Sequence, residues 1–283
     1  STNLTVVLFV NLRLLSHILG PSQNVDSDFF IHADASARIV GGTEAAVGSV
    51  PYMVGLSSGL LIRSFVCGGC LIAGRTVLTA AHCIDAVFAF GSLSRSDITV
   101  RGTVGTNRWN SGGQSYAFAR NVTHPNYVSA TIKNDIGMLI TSVNVMYSNL
   151  VAIVPMNFAY MPAGIIARAA GWGRIRQGGA LSATLLELTV TTIGEERCVR
   201  EVPLFAAALN MIPPPVEPHL EICTIHSPGH GMCNGDSGSA LVEQIRGQLI
   251  GLVSWGIPCA VGAPDMFVRL STYQSWVMLN FVN

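Results

Sequence analysis

Short apolar runs, four to seven residues long, recur along most of the chain and are separated by Gly, Pro, Asn and Ser; residues 52–56, 77–80, 136–140, 185–191 and 249–254 are examples. Runs of that length and spacing predict strands of an all-β sandwich or barrel. Helical periodicity is confined to two places. One is residues 194–200; the other is residues 271–281, with Ser271 or Thr272 as N-cap and Tyr273, Trp276 and Val277 on one face. The segment 79–83 reads as the end of a hydrophobic strand closed by His82 and Cys83. About 245 residues of such structure fit one fold of two barrels, with the crossing at residues 149–155.

The first 38 residues differ. Residues 4–20 are mostly apolar but are interrupted by Asn11, Arg13 and His17, too short a run to span a bilayer, so residues 1–20 read as an incomplete secretory signal. Residues 21–38 turn polar and acidic, with Asp26, Asp28 and Asp34 and no cysteine, as in a detachable leader. Residues 39–283 form the expected domain, with a first barrel over roughly 39–152 and a second, with the terminal helix, over roughly 153–283.

Composition narrows the function. A content of 49% hydrophobic and 11% charged residues argues against disorder. The 16 basic residues balance the 16 acidic ones, so no sequence-wide field draws the chain to nucleic acid or to a membrane surface. Lys133 is the only lysine, and every other basic residue apart from histidine is arginine. Because arginine keeps its charge above the lysine range, one reading is work at high pH; composition drift is the other.

The cysteines are Cys67, Cys70, Cys83, Cys198, Cys223, Cys233 and Cys259. Their scatter, without a pair of Cys-x-x-Cys sites and nearby histidines, disfavours zinc and favours three disulfides plus one free thiol in an oxidising compartment. The sequon at Asn121 fits secretion.

Ser237, within Gly235-Asp236-Ser237-Gly238, has the setting of a nucleophile on a tight turn, though most serines flanked by glycine are ordinary turn residues. An activated serine needs a base and an acid that orients the base. No histidine follows Ser237, which excludes the α/β-hydrolase order, and Ser239 stands where that fold's nucleophile elbow needs glycine. Of the upstream histidines, His82 is set in an apolar stretch beside Cys83, and Asp135 opens an apolar run where a buried carboxylate needs a partner.

With these residues in view, the chain from Ile39 to Asn283 resembles a chymotrypsin-like secreted serine endopeptidase, closest to the arthropod digestive chymotrypsin and serine collagenase type. The resemblance rests on Arg-Ile-Val-Gly-Gly at 38–42, Thr-Ala-Ala-His-Cys at 79–83, Asn-Asp-Ile at 134–136, Gly-Trp-Gly at 171–173, Gly-Asp-Ser-Gly at 235–238 and Ser-Trp-Gly at 254–256, in the family's order. It implies two six-stranded antiparallel β-barrels and a C-terminal helix. It also implies a triad of His82, Asp135 and Ser237, an oxyanion hole from the N–H groups of Gly235 and Ser237, and substrate backbone pairing along Ser254, Trp255 and Gly256. Cleavage after Arg38 by a trypsin-like enzyme would free the α-amine of Ile39 to pair with Asp236. The implied disulfides are Cys67 to Cys83, Cys198 to Cys223 and Cys233 to Cys259, with Cys70 buried and inert where the family has serine.

For the specificity pocket the resemblance puts Gly231 at the floor, where trypsins have aspartate, Gly256 at the mouth and Asp265 on the wall, where glycine is usual. That combination implies cleavage after Phe, Tyr and Leu with secondary tolerance of Arg, unless Asp265 is a solvated loop acid. Ser239, where glycine is usual, is expected to be tolerated. The loop containing Asp85 and Asp97 has no close set of carboxylates for calcium. The expected protein is a secreted, extracellular monomer, of the gut lumen if digestive, with no cofactor or metal. Its partners are protein and peptide substrates, a trypsin-like activator and protein protease inhibitors. A non-catalytic homologue that binds a partner, or an immune-type protease with a single target, are the competing readings.

Overall fold

The computed structural model describes residues 39–88, 99–257 and 259–283. The expected signal segment, the leader and Arg38 lie outside these residues. Thirteen strands occur among the described residues: β1 (Thr43–Glu44), β2 (Met53–Ser58), β3 (Ser64–Ala73), β4 (Thr76–Thr79), β5 (Arg101–Val104), β6 (Gln114–Thr123), β7 (Gly137–Thr141), β8 (Ile166–Gly171), β9 (Leu186–Thr192), β10 (Glu221–Ile225), β11 (Ala240–Glu243), β12 (Gln248–Gly256) and β13 (Asp265–Arg269). The helices are α1 (Ala81–Phe88), α2 (Glu195–Ala208) and α3 (Gln274–Asn280), the last entered through a 3₁₀ turn at Leu270–Tyr273.

Strands β2-β3-β4-β7-β6-β5 close one antiparallel barrel. The second ring runs β9-β10-β13-β12-β11-β8 and closes through β8 against β9, in register from Ile166 opposite Thr191 to Gly171 opposite Leu186. Closure removes the free edges that short strands would otherwise expose. The interior of the first barrel is filled by Val54, Leu56, Leu71, Val77, Val104 and Leu139, and that of the second by Ala169, Leu188, Val190, Ile222, Leu241 and Phe267. A third apolar cluster joins the two, with Met53, Leu78 and Ile140 meeting Ala240, Leu252 and Val268.

Each end of the domain is tied to the other barrel. β1 pairs with β9 of the second ring, so the first barrel proper begins at β2. At the other end Val282 exchanges hydrogen bonds with the Thr76 hydroxyl of β4, accepting at 2.8 Å and donating at 2.7 Å. The crossing falls between Val154, whose N–H donates to Leu71 of the first barrel, and Met156, which bridges to Leu249 of the second.

Three local expectations are corrected. β4 ends at Thr79, and His82 lies in the first turn of α1 rather than at a strand end, because Asp135 captures the His82 backbone N–H at 2.9 Å and caps that turn. The helix expected at 194–200 continues to Ala208, since Cys198, Val202 and Ala206 repeat every fourth residue and form a buried stripe. Ser271 and Thr272 do not cap α3 with their side chains; they lie in the 3₁₀ turn, where the Thr272 hydroxyl bonds instead to the His219 carbonyl.

Candidate active site

Asp135 is 2% exposed and accepts three hydrogen bonds. The His82 backbone N–H reaches Oδ1 at 2.9 Å; the His82 ring Nδ1 and the Ser254 hydroxyl both reach Oδ2, at 2.8 and 2.6 Å. Three donors offset the cost of burying the carboxylate. With its Nδ1–H donated to Asp135, the imidazole leaves Nε2 as the basic nitrogen. Burial pushes the His82 pKa down, but the hydrogen bond to Asp135, its charge and that of Asp85 outweigh this, and the net shift is upward. The ring also lies within 4.8 Å of the Cys67 and Cys83 sulfurs, which are joined as a disulfide and offer no thiolate to a metal.

Ser237 sits at the junction of the two barrels. Its carbonyl accepts the Gly68 N–H of β3 at 2.8 Å, and the next N–H, of Gly238, donates to Val253 of β12 at 2.8 Å. The turn before it is set by Asn234, whose carbonyl accepts the Arg174 N–H at 2.8 Å. Because a trans peptide directs its C=O and N–H to opposite sides, the Gly235 N–H faces away from Arg174. Gly235 has φ +100°, a conformation that favours glycine, and a Cβ there would also crowd the Leu181 side chain at 2.8 Å.

Behind this turn Asp236 is fully buried and accepts the N–H groups of Gly173 at 2.8 Å and Cys233 at 3.0 Å. Burial raises its pKa to about 6 although both backbone bonds oppose the shift. A Cβ on Gly171 or Gly173 would come within 2.2 or 2.4 Å of this carboxylate, which explains the Gly-Trp-Gly spacing. Ile39 is wholly buried in the core of the second barrel, and Val40 bridges to Gly231.

A cavity of about 220 Å³ opens beside Ser237, lined by Met232, Cys233, Asn234, Val253, Ser254, Trp255, Gly256, Ile257 and Asp265. Gly231 does not face it. A Cβ on Gly231 would lie 2.9 Å from Asp265 Oδ2, so the carboxylate occupies the room that glycine leaves. Asp265 is thus a buried pocket group and not a solvated loop acid: it is 7% exposed and accepts the Met232 N–H at 3.0 Å through Oδ2, with Oδ1 on the Gly256 side. Burial lifts its pKa to about 7, against the Met232 bond and with help from the charge of Asp236.

Among the described residues, no strand pairs with one edge of β12 where it runs past the end of β11 beside the cavity. β11 pairs with Gln248 to Leu252, while Trp255 and Gly256 pair only with β13 on the other edge. Disulfides join Cys67 to Cys83, Cys198 to Cys223 and Cys233 to Cys259, and Cys70 is a buried free thiol whose pKa burial pushes up. The Ser239 hydroxyl is buried without a hydrogen-bond partner, a costlier position than a tolerated small residue implies.

The family model described as Trypsin matches residues 39–277. The chain belongs to the trypsin family. Chymotrypsin-2 of Vespa crabro is 33% identical over 243 residues, 86% of this chain and 99% of the relative. Trypsin alpha-4 of Lucilia cuprina is 31% identical, over 85% of this chain and 86% of the relative. Serine protease SP24D of Anopheles gambiae is 32% identical, over 85% and 80%. These relatives carry chymotrypsin and trypsin names alike, so the trypsin-family assignment leaves the choice of cleaved bond to the pocket.

Two features of this trypsin-family site were not legible in the motifs. The resemblance gives Ser254 only a backbone role, yet its hydroxyl bonds Asp135. Lys133, read only as a compositional oddity, is buried two residues before Asp135. Only the proximity of both to recognised motifs pointed their way.

Proposed function

We propose that this chain is a serine endopeptidase made as a precursor, in which Ser237 attacks the scissile carbonyl and His82 takes its proton at Nε2. Asp135 holds the ring and stabilises the imidazolium that forms. The observation that carries this reading is the shared Asp135 carboxylate, bonded to both the ring and the backbone of His82. The N–H groups of Gly235 and Ser237 stabilise the oxyanion, each worth about 3 kcal/mol, and the edge of β12 at Ser254, Trp255 and Gly256 takes the substrate backbone as an added strand. His82 then returns its proton to the leaving amine, and water hydrolyses the acyl-enzyme by the same relay.

Activation proceeds by cleavage after Arg38. The new Ile39 ammonium pairs with Asp236, whose burial without a cationic partner is what raises its pKa. The pocket selects Phe, Tyr and Leu while Asp265 is protonated and accepts Arg when it is ionised. The enzyme is a secreted monomer of a digestive fluid, switched on by a trypsin-like protease and blocked by protein protease inhibitors. After tryptic cleavage, an organophosphonate should label Ser237 and peptide hydrolysis should appear with it; a cleaved, folded chain that resists labelling would be a binding homologue instead.

A further inference from the structure

The only lysine of the chain lies buried between the barrels. Lys133 Nζ is 2.5 Å from Glu221 Oε1 of β10 and 4.9 Å from the ring centroid of Trp255 in β12. The same Glu221 oxygen accepts the Trp255 indole N–H at 2.7 Å, and Oε2 accepts the Glu217 N–H at 2.7 Å. Every carboxylate oxygen is therefore used, and Lys133 and Glu221 are each 4% exposed. Burying such a pair contributes little net stability, because the desolvation of both ions offsets their attraction. Its geometry is more informative than its energy.

Lys133 stands between two residues in the left-handed region, Ile132 at φ +52° and Asn134 at φ +53°. A β-branched residue persists there only where its surroundings hold it. The holding contacts are the two-way backbone bridge of Lys133 with Val128 and the ion pair to Glu221. Two residues beyond Lys133 is Asp135. On the facing strand, Trp255 follows Ser254, whose hydroxyl bonds that same Asp135. Segments 133–135 and 254–255 are thus joined by two parallel polar ties, one carrying the triad carboxylate and the other the indole beside the substrate strand.

We infer that Lys133 and Glu221 are positioning residues that couple the indole face of Trp255 to Asp135, so that contacts of an extended substrate upstream of the scissile bond are converted into turnover rather than binding alone. This rests on the protease reading of the site. Interactions realised in the transition state raise kcat, whereas uniform ones lower only KM.

The test compares an amide substrate with one acylated residue against a tetrapeptide ending in the same residue, on activated wild-type enzyme, Lys133→Met and Lys133→Arg. In the wild type the longer substrate should gain at least about tenfold in kcat, and Lys133→Met should remove most of that gain while still lowering KM with length. Lys133→Arg, which keeps the cation and the donor, should restore it. If Lys133→Met folds poorly, the charge-balanced Lys133→Met/Glu221→Gln variant carries the same comparison. An unchanged kcat gain in a folded variant, or an equal loss on both substrates, overturns the coupling. Absence of hydrolysis by the wild type sinks the protease reading instead.

Discussion

Ser254 and His82 bond the same oxygen of Asp135, the hydroxyl at 2.6 Å and the ring nitrogen at 2.8 Å. The hydroxyl thereby stabilises the carboxylate's negative charge and moderates its pull on the imidazole. Ser254→Ala should make Asp135 a stronger partner, move the acid limb of kcat/KM upward and lower kcat by about tenfold, within the range for one lost charge-assisted hydrogen bond. A pH profile on a Phe amide checks both; an unmoved acid limb would show the hydroxyl to be structural.

For the wild type, the sign of the His82 shift fixes where activity begins. The ring must be neutral at Nε2 to act as base, and its pKa is raised. The acid limb is therefore expected above about 6.5, the ordinary histidine value. Recording it in Asp265→Gly as well separates it from the pocket acid. The same upward shift means the His82–Asp135 pair favours the folded state at low pH, an advantage lost as pH climbs through the raised value.

Specificity should depend on pH. With Asp265 titrating at about 7, the ratio of Arg to Phe cleavage should climb as pH passes neutrality and flatten above it. Asp265→Gly should depress Arg cleavage by about tenfold or more, leave Phe cleavage nearly intact and abolish the pH trend, one lost buried charge contact being worth that much. If Arg and Phe cleavage fall together, the carboxylate has no part in selection.

The same carboxyl predicts a stability trend. Its folded pKa lies above the ordinary aspartate value, so the folded state keeps a proton that the unfolded chain gives up, and stability should fall as pH rises from about 4 to about 7. Asp265→Asn should make that slope shallower in denaturant titrations, with Asp236 and His82 supplying the remainder; an unaltered slope would place its origin elsewhere.

Activation is testable at Asp236. Asp236→Asn keeps only one acceptor for the two backbone N–H groups and has no charge for the Ile39 ammonium. After cleavage at Arg38 this variant should lose about 100-fold or more in active-site titre, comparable to losing an oxyanion donor. Full activity would remove Asp236 from the activation step. High pH bears on the same pair: the free α-amine titrates near 8 when unpaired, pairing raises that value, and activity should decline reversibly as pH climbs through the raised value.

Much of this protein was fixed by short-range chemistry that a linear reading can follow. Short apolar runs bounded by Gly, Pro, Asn and Ser predict the strands of a sandwich or barrel, and two closed barrels form; β4, β7, β11 and β13 are buried at every position, so run length and boundaries, not alternation, mark them. The motif residues His82, Asp135, Ser237 and Gly235 could be named because six motifs stand in the order of the family that the chain resembles. Local context misled at His82, which enters a helix because Asp135, 53 residues away, binds its N–H. Nor could sequence decide that Asp265 lines the cavity beside Ser237, since that depends on the Met232 N–H drawing a carboxylate into the space that Gly231 leaves. The Lys133–Glu221–Trp255 cluster joins residues up to 122 positions apart, 133 to 255, across two barrels. No periodicity encodes such a contact; it exists only once the barrels have closed and packed.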